Sequence, residues 1–225
     1  MKISLTDKPI ALKAERLARA HHEGVKRKYT GEPYIEHPIR VAEKLLSFGI
    51  VTERFLAGAL LHDCLEDENL FGTMLHPSEI EKISRTVLTD VKFLTSPGGK
   101  NRAERKARYR DQMAQAHLGV KAIKCADIID NVTGIVALDP QFASLYIEEQ
   151  RLMLNALKPT GQTVTNYVRI WSAASEACLQ ETIELAHLDR EDRQQRDVKA
   201  ERAFLAAVAE IERRHADDMR AFGLF

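Results

Sequence analysis

Two adjacent pairs, His62-Asp63 and Glu66-Asp67, gather an imidazole and three carboxylates within six positions. On a helix, residues four apart stack, so Glu66 would lie beside His62 and Asp67 beside Asp63. The set follows directly on the apolar run 55–61, where burying it is costly unless a metal or shared protons offset the charge. Taken alone it also reads as a solvated acidic helix end running into a loop at Asn69. Two further segments favour the first reading. Glu36-His37-Pro38 puts an imidazole just before a helix start, where it can face the interior. Asp127 and Asn131 sit one turn apart in an otherwise apolar stretch, where a lone aspartate calls for a cation. Two imidazoles and two carboxylates form a mixed nitrogen and oxygen set suited to Mn²⁺, Fe²⁺ or Zn²⁺, and ligand type alone does not choose among them.

The elements that must position these groups are helices. Pro9, Pro33, Pro38, Pro77, Pro97, Pro140 and Pro159 fall between, or in the first turn of, segments with helical periodicity. Apolar stripes run through Ile10, Ala14, Leu17 and Ala18, then Val41, Leu45 and Phe48, then Phe55, Leu56, Ala59 and Leu60. Ser78-Glu79-Ile80-Glu81 reads as a capping box opening one helix with Ile80, Ile83, Val87, Val91 and Leu94 on a single face. Further helices are predicted over 101–117, 120–137 and 142–157. No segment alternates with period two, so the expected class is all-α.

A boundary is expected at residues 158–161, dividing a domain over 1–158 from a C-terminal helical extension over 159–225. The extension carries Val164, Tyr167, Val168, Trp171, Ala174 and Cys178 on one pattern, and Phe204, Val208, Ile211, His215, Met219 and Phe222 on another. Two readings are open: a hairpin packing on the main domain, which is favoured, or a homo-oligomer surface, because the last stripe is narrow and nearly heptad-spaced.

Composition narrows the function. In 225 residues, 33 Lys+Arg balance 33 Asp+Glu, which excludes a protein that grips nucleic acid by bulk charge. Six cations between Lys100 and Arg110, against the lone acid Glu104 there, form a local basic segment. The first ten residues lack the apolar region of a signal peptide, and no run is long enough to cross a bilayer, so a cytoplasmic chain with no membrane partner is expected. Cys64, Cys125 and Cys178 are odd in number and widely spaced, which argues for buried small hydrophobes rather than a disulfide or zinc framework.

His37…His62-Asp63…Asp127 resembles the H…HD…D signature of HD-domain phosphohydrolases, implying an HD-domain helical bundle with the hairpin added. Arg27-Lys28, residues 31–38 (GEPYIEHP), residues 60–67 (LLHDCLED), Glu104-Arg105-Lys106 and Ala126-Asp127…Asn131 are similar to segments of RelA/SpoT-type alarmone hydrolases and their small stand-alone relatives. The resemblance covers about residues 10 to 157. It implies that His37, His62, Asp63 and Asp127 hold one Mn²⁺, other divalent transition metals being alternatives. Glu66 and Asp67 would position and deprotonate a water that attacks the 3′-pyrophosphate of ppGpp or pppGpp, giving GDP or GTP and pyrophosphate. Arg27, Lys28, Asn131 and Arg102 would contact the guanine nucleotide. The sequence departs from the family pattern at Val25, Ile128 and Asp130. Those departures keep open a phosphatase acting on another nucleotide, such as NADPH or a dNTP. The charged tail keeps open a regulatory or antitoxin-like alarmone-binding module. Nothing after residue 160 is long or varied enough for a synthetase domain, so hydrolysis alone is expected.

Overall fold

A computed structural model describes residues 8–161, 165–193 and 198–223, with eleven helices among them and an isolated bridge, Lys26 to Pro33, as the only β pairing among the described residues. The all-α class expected from the periodicity is what forms. Helices α1 (Pro9–His21), α2 (Glu36–Ser47) and α3 (Glu53–Leu61) lead the chain, and α4 (Pro77–Ile83), α5 (Arg85–Leu94) and α6 (Arg102–Gln115) follow. Next come α7 (Leu118–Val132), the short α8 (Ile135–Leu138) and α9 (Pro140–Ala156), then the long α10 (Thr165–Arg193) and α11 (Val198–Ala221).

Helices α3 and α7 form the centre. Six consecutive residues of α3, 56–61, are buried, and α7 buries nine positions including Asp127. Helices that are apolar over most of their surface belong inside a bundle, and these two are surrounded accordingly. Helix α3 packs on α1, α2 and α5, and α7 packs on α2, α3 and α10. Their approach is close at Gly119, where a Cβ would lie 2.2 Å from the Phe55 ring. The chemistry-bearing residues thus sit on, or at the end of, the two most deeply buried helices.

Local physics explains where the helices depart from the expected bounds. The predicted helix opened by Ser78 is broken in two at Ser84, whose backbone is extended (φ −167°, ψ 129°) and whose hydroxyl accepts from the Val87 amide as the N-cap of α5. A Ser–Xaa–Xaa–Val start competes with continuation of α4, and capping wins. The cap of α4 is His76, which accepts from the Ser78 amide, so Ser78 lies in the first turn and makes no capping box. The predicted 120–137 helix also breaks: α7 ends at Val132, and Gly134, at φ 81°, turns the chain into α8. His37 falls in the first turn of α2, one residue inside the expected start.

The extension packs on the rest of the chain. Tyr167, Ile170, Trp171, Ala174 and Cys178 of α10 join the same buried cluster as α3 and α7. The Trp171 indole donates to the Leu154 carbonyl at 3.0 Å, and the Glu181 carboxylate accepts from the Gly134 and Val136 amides at 2.6 and 3.0 Å. Helix α11 rests on α10 through the Phe222 ring, 5.7 Å from Trp171, and the His215–Glu176 pair at 2.8 Å. Val164 and the Phe204 side chain, named in the sequence pattern, lie outside the described residues. The three cysteines are free and buried.

Candidate metal centre and adjoining cavity

Four donor atoms converge where α2, α3 and α7 meet. The Nε2 of His37 lies 3.5 Å from Asp63 Oδ2 and 3.2 Å from Asp127 Oδ1; the Nε2 of His62 lies 3.0 Å and 3.5 Å from the same two oxygens. These are the four residues expected as ligands, brought from positions up to 90 apart. Both rings present the same nitrogen inward because the other is fixed. The Nδ1 of His62 is hydrogen-bonded to the Ala59 carbonyl at 2.7 Å, and the Nδ1 of His37 to Asp130 Oδ2 at 2.8 Å. An imidazole that donates through Nδ1 offers an unprotonated Nε2.

The site's polar atoms fit a cation. His62 Nε2 is buried and, although 3.0 Å from Asp63 Oδ2, makes no well-aligned hydrogen bond, which leaves its inward face free for a cation. Burial disfavours charge on His37, but the Asp127, Asp130 and Asp63 carboxylates override it and push this imidazole up to about 9. Burial likewise opposes charge on His62, and Asp63 and Asp127 drive it well above its usual value. Asp63, despite burial, is held far below the carboxylate range by His62 and His37, and Asp127 by Lys124 and the same imidazoles. Carboxylates that favour a proton on both rings equally favour a metal ion between them.

The segment after α3 is a run of turns rather than a continued helix, with the Asp67 amide bonded to the Asp63 carbonyl at 2.8 Å. Asp67 is half-buried, and the Tyr34 hydroxyl, which donates to Asp63 Oδ2 at 2.8 Å, also faces its carboxyl. Partial burial and the Asp63 charge push Asp67 upward, against Tyr34 and the two imidazoles. Glu66 keeps a solvent-exposed face and accepts a hydrogen bond from the Ser96 amide, a tie that reaches the loop before α6. The solvated acidic end weighed from sequence thus describes Glu66 and Glu68 in exposure, but not Asp63.

Beside the four donors lies a cavity of about 540 Å³, bounded in part by Arg27, Tyr34, Arg40, Asp130, Asn131 and Tyr146, a size that suits a nucleotide. The loop between α1 and α2 delivers its cations: the Lys26–Pro33 bridge and the Arg27 amide to Glu32 carbonyl bond (2.9 Å) close it. Arg27 donates to Asn131 Oδ1 at 3.0 Å, and Asn131 donates in turn to Asp127, so three of the expected residues form one chain. Lys28 stands exposed at the cavity rim, against Tyr29. Arg102 is not in the cavity wall. Its guanidinium makes a bidentate pair with Glu149 and lies 5.4 Å over the Phe142 ring, which does line the cavity.

Several groups at the site carried no role in the sequence reading. Lys124 donates to the outer oxygen of Asp127 at 2.7 Å, and its i, i+3 spacing on an apolar helix was a legible signal. Tyr34 and Asp130 stood inside quoted motifs without a contact to give them meaning. Arg40 and Lys44, on which the sequence reading is silent, both bind Asp130. Of the other histidines, His22 is buried under the Tyr34 ring at 4.6 Å and pushed down to about 4 by burial and by His21. His117 caps α7, and His21 bonds to the Asp67 carbonyl at 2.9 Å.

No protein-family model matches the chain. It is similar to the guanosine-3′,5′-bis(diphosphate) 3′-pyrophosphohydrolase of Aquifex aeolicus, 36% identical over 123 residues, which are 53% of this chain and 17% of that protein. The chain therefore spans under a fifth of that relative's length. Human MESH1, a guanosine-3′,5′-bis(diphosphate) 3′-pyrophosphohydrolase, is 33% identical over 132 residues, 57% of this chain and 70% of the human protein. Among solved structures, a metazoan ortholog of SpoT described as hydrolysing ppGpp superposes with a TM-score of 0.63 at 24% identity, covering 74% of this chain and 94% of that one, a likeness of fold. With two histidines and two aspartates converging at the bundle centre and this identity across 70% of the human protein, the chain belongs to the MESH1 family of HD-domain hydrolases.

Proposed function

We propose that this chain is a divalent-metal-dependent 3′-pyrophosphohydrolase of guanosine tetra- and pentaphosphate. The observation that carries the reading is the convergence of His37 Nε2, His62 Nε2, Asp63 Oδ2 and Asp127 Oδ1, with both Nδ1 atoms tied back. Those four residues would hold the ion, with Mn²⁺ the proposed metal. When bound, such an ion supplies positive charge that acidifies a water and polarises a phosphoryl oxygen.

The chain's own residues do the rest. Asp67, raised by partial burial and by Asp63, is suited to take a proton from the attacking water at neutral pH, because its basicity exceeds that of an ordinary carboxylate. Tyr34, hydrogen-bonded to Asp63, holds that carboxylate's orientation and faces Asp67. Glu66, tethered to the Ser96 amide, orders the turn at the mouth of the site. Asn131 and Arg27 link the Asp127 ligand to the cavity wall, so a phosphate contacting Arg27 is registered against the reacting centre. Lys28 adds an unburied cation at the rim, where a polyphosphate enters.

The test is pyrophosphate release from ppGpp by the purified full chain, stripped with chelator and reloaded with Mn²⁺, Zn²⁺ or Fe²⁺. Metal-dependent release that vanishes in Asp63→Ala is expected. Absence of release, or a higher kcat/KM on NADPH or a dNTP than on ppGpp, would overturn the reading.

A further inference from the structure

Asp130 occupies an unusual place for an acid, because its side chain is only 4% exposed yet faces three cationic or proton-donating partners. One oxygen accepts from His37 Nδ1 at 2.8 Å; the pair of oxygens takes Arg40 Nε at 2.9 and 3.2 Å; Lys44 Nζ lies 3.0 Å away. Arg40 is itself fixed from behind by a two-point pair with Glu32, at 2.8 and 3.1 Å. The carboxylate therefore has almost no freedom to rotate. It transmits that rigidity to the one ring nitrogen through which His37 can be oriented. Where His62 uses a backbone carbonyl for the same purpose, His37 in the first turn of α2 has its Nδ1 bonded to this side chain from α7.

We propose that Asp130 is a positioning residue of the metal centre: clamped by Arg40 and Lys44, it fixes the tautomer and orientation of His37 and so sets the affinity for the ion. The inference rests on the reading of His37 as a ligand. A carboxylate behind a ligating imidazole raises its basicity and restricts its swing, and loss of such a partner weakens metal binding about 10- to 100-fold. The same clamp has a consequence for the cavity. Arg40 and Lys44 line it but are neutralised by Asp130 and Glu32, which leaves Arg27 and Lys28 as the wall cations for a phosphate.

The measurement is Mn²⁺ affinity of the chelator-stripped full chain, read from the paramagnetic signal of the free ion, with thermal melting of the stripped proteins as the check on folding. Asp130→Ala is expected to bind about 10- to 100-fold more weakly, and Asp130→Asn, which keeps an acceptor oxygen for His37, to recover part of the loss. Arg40→Gln separates positioning from bulk charge and serves even if Asp130→Ala does not fold. Removing a cation near a metal site should tighten binding by simple electrostatics, whereas loosening the clamp should weaken it several-fold. Affinity of Asp130→Ala within twofold of the parent, or tighter binding by Arg40→Gln, overturns the proposal. A parent chain that binds no Mn²⁺ overturns it together with the ligand reading. Weakened variants in a parent that binds Mn²⁺ but releases no pyrophosphate would leave the positioning role standing and sink the proposed reaction.

Discussion

At the scale of single residues, the site separates carboxylates held in their charged form from Asp67, the one proposed to move a proton. Asp63 and Asp127 are pinned as carboxylates by imidazoles and Lys124, so neither is available as a base. Asp67 is the opposite case, raised by partial burial and by Asp63, with Tyr34, His62 and His37 opposing. Its ionised form is lost as pH falls through that raised value. The acid limb of the kcat/KM profile is therefore expected above the ordinary carboxylate range of about 4, and Asp67→Asn should remove that limb while lowering kcat by about 10²- to 10⁴-fold. Stability carries the reverse sign. A carboxyl whose folded-state pKa exceeds its unfolded one costs stability when ionised, and the cost fades at low pH. Asp67→Asn should accordingly melt no lower than the parent at pH 7 in chelator, and a clear drop would contradict the assignment.

At the scale of elements, the proposed metal centre is only as well placed as the crossing of α3 and α7. The two helices carry His62-Asp63 at one C-terminus and Asp127 in mid-helix, and Gly119 lets them close on Phe55. A methyl at 119 would meet the ring at 2.2 Å, a distance no rotamer adjustment of α7 itself can relieve. Gly119→Ala is expected to cost about 1–3 kcal/mol as an overpacked contact and to weaken metal binding by shifting Asp127, both read by melting with and without Mn²⁺. Unchanged melting would mean that Phe55 swings freely and that the crossing is looser than its burial implies.

At the scale of the whole molecule, α10 and α11 differ in how they are attached. Helix α10 gives Tyr167, Ile170 and Trp171 to the common core and caps the turn after α7 through Glu181. Helix α11 is held by peripheral contacts, such as the Lys158–Asp218 pair to the segment after α9 and the Phe222 ring, just past its end, against Trp171 of α10. Burying a large side chain is worth about 1.5–3 kcal/mol, so removing residues 162–225 should strip several such contributions and leave an aggregating or strongly destabilised product. Ending the chain at residue 197 should instead preserve metal binding and lower the melting temperature modestly. Equal stability of the two truncations, measured by thermal melting, would show that the boundary near 158–161 separates an independent domain.

The amino-acid sequence by itself determined the helical class and, through the H…HD…D motif, pointed to the four donors that converge. Both are local properties: apolar periodicity is written in three- and four-residue steps, and an aspartate or histidine in an apolar helix announces a desolvation cost wherever it lands. Ser84 shows the limit even of local reading, because a serine can continue a helix or cap the next, and here its hydroxyl caps α5. What the tertiary structure decided is which charges meet. Asp130 looked like a departure from a motif until His37, 93 positions away, was found 2.8 Å from it with Arg40 and Lys44 alongside. The resemblance implied a nucleotide contact for Arg102, and in the fold its guanidinium is paired with Glu149, 47 positions on. Coulomb energy depends on ångströms and burial, neither of which is encoded in spacing along the chain. Residue types can therefore name candidate donors for an ion, while only the folded bundle determines which neighbours orient them and which cations stay unpaired at the cavity.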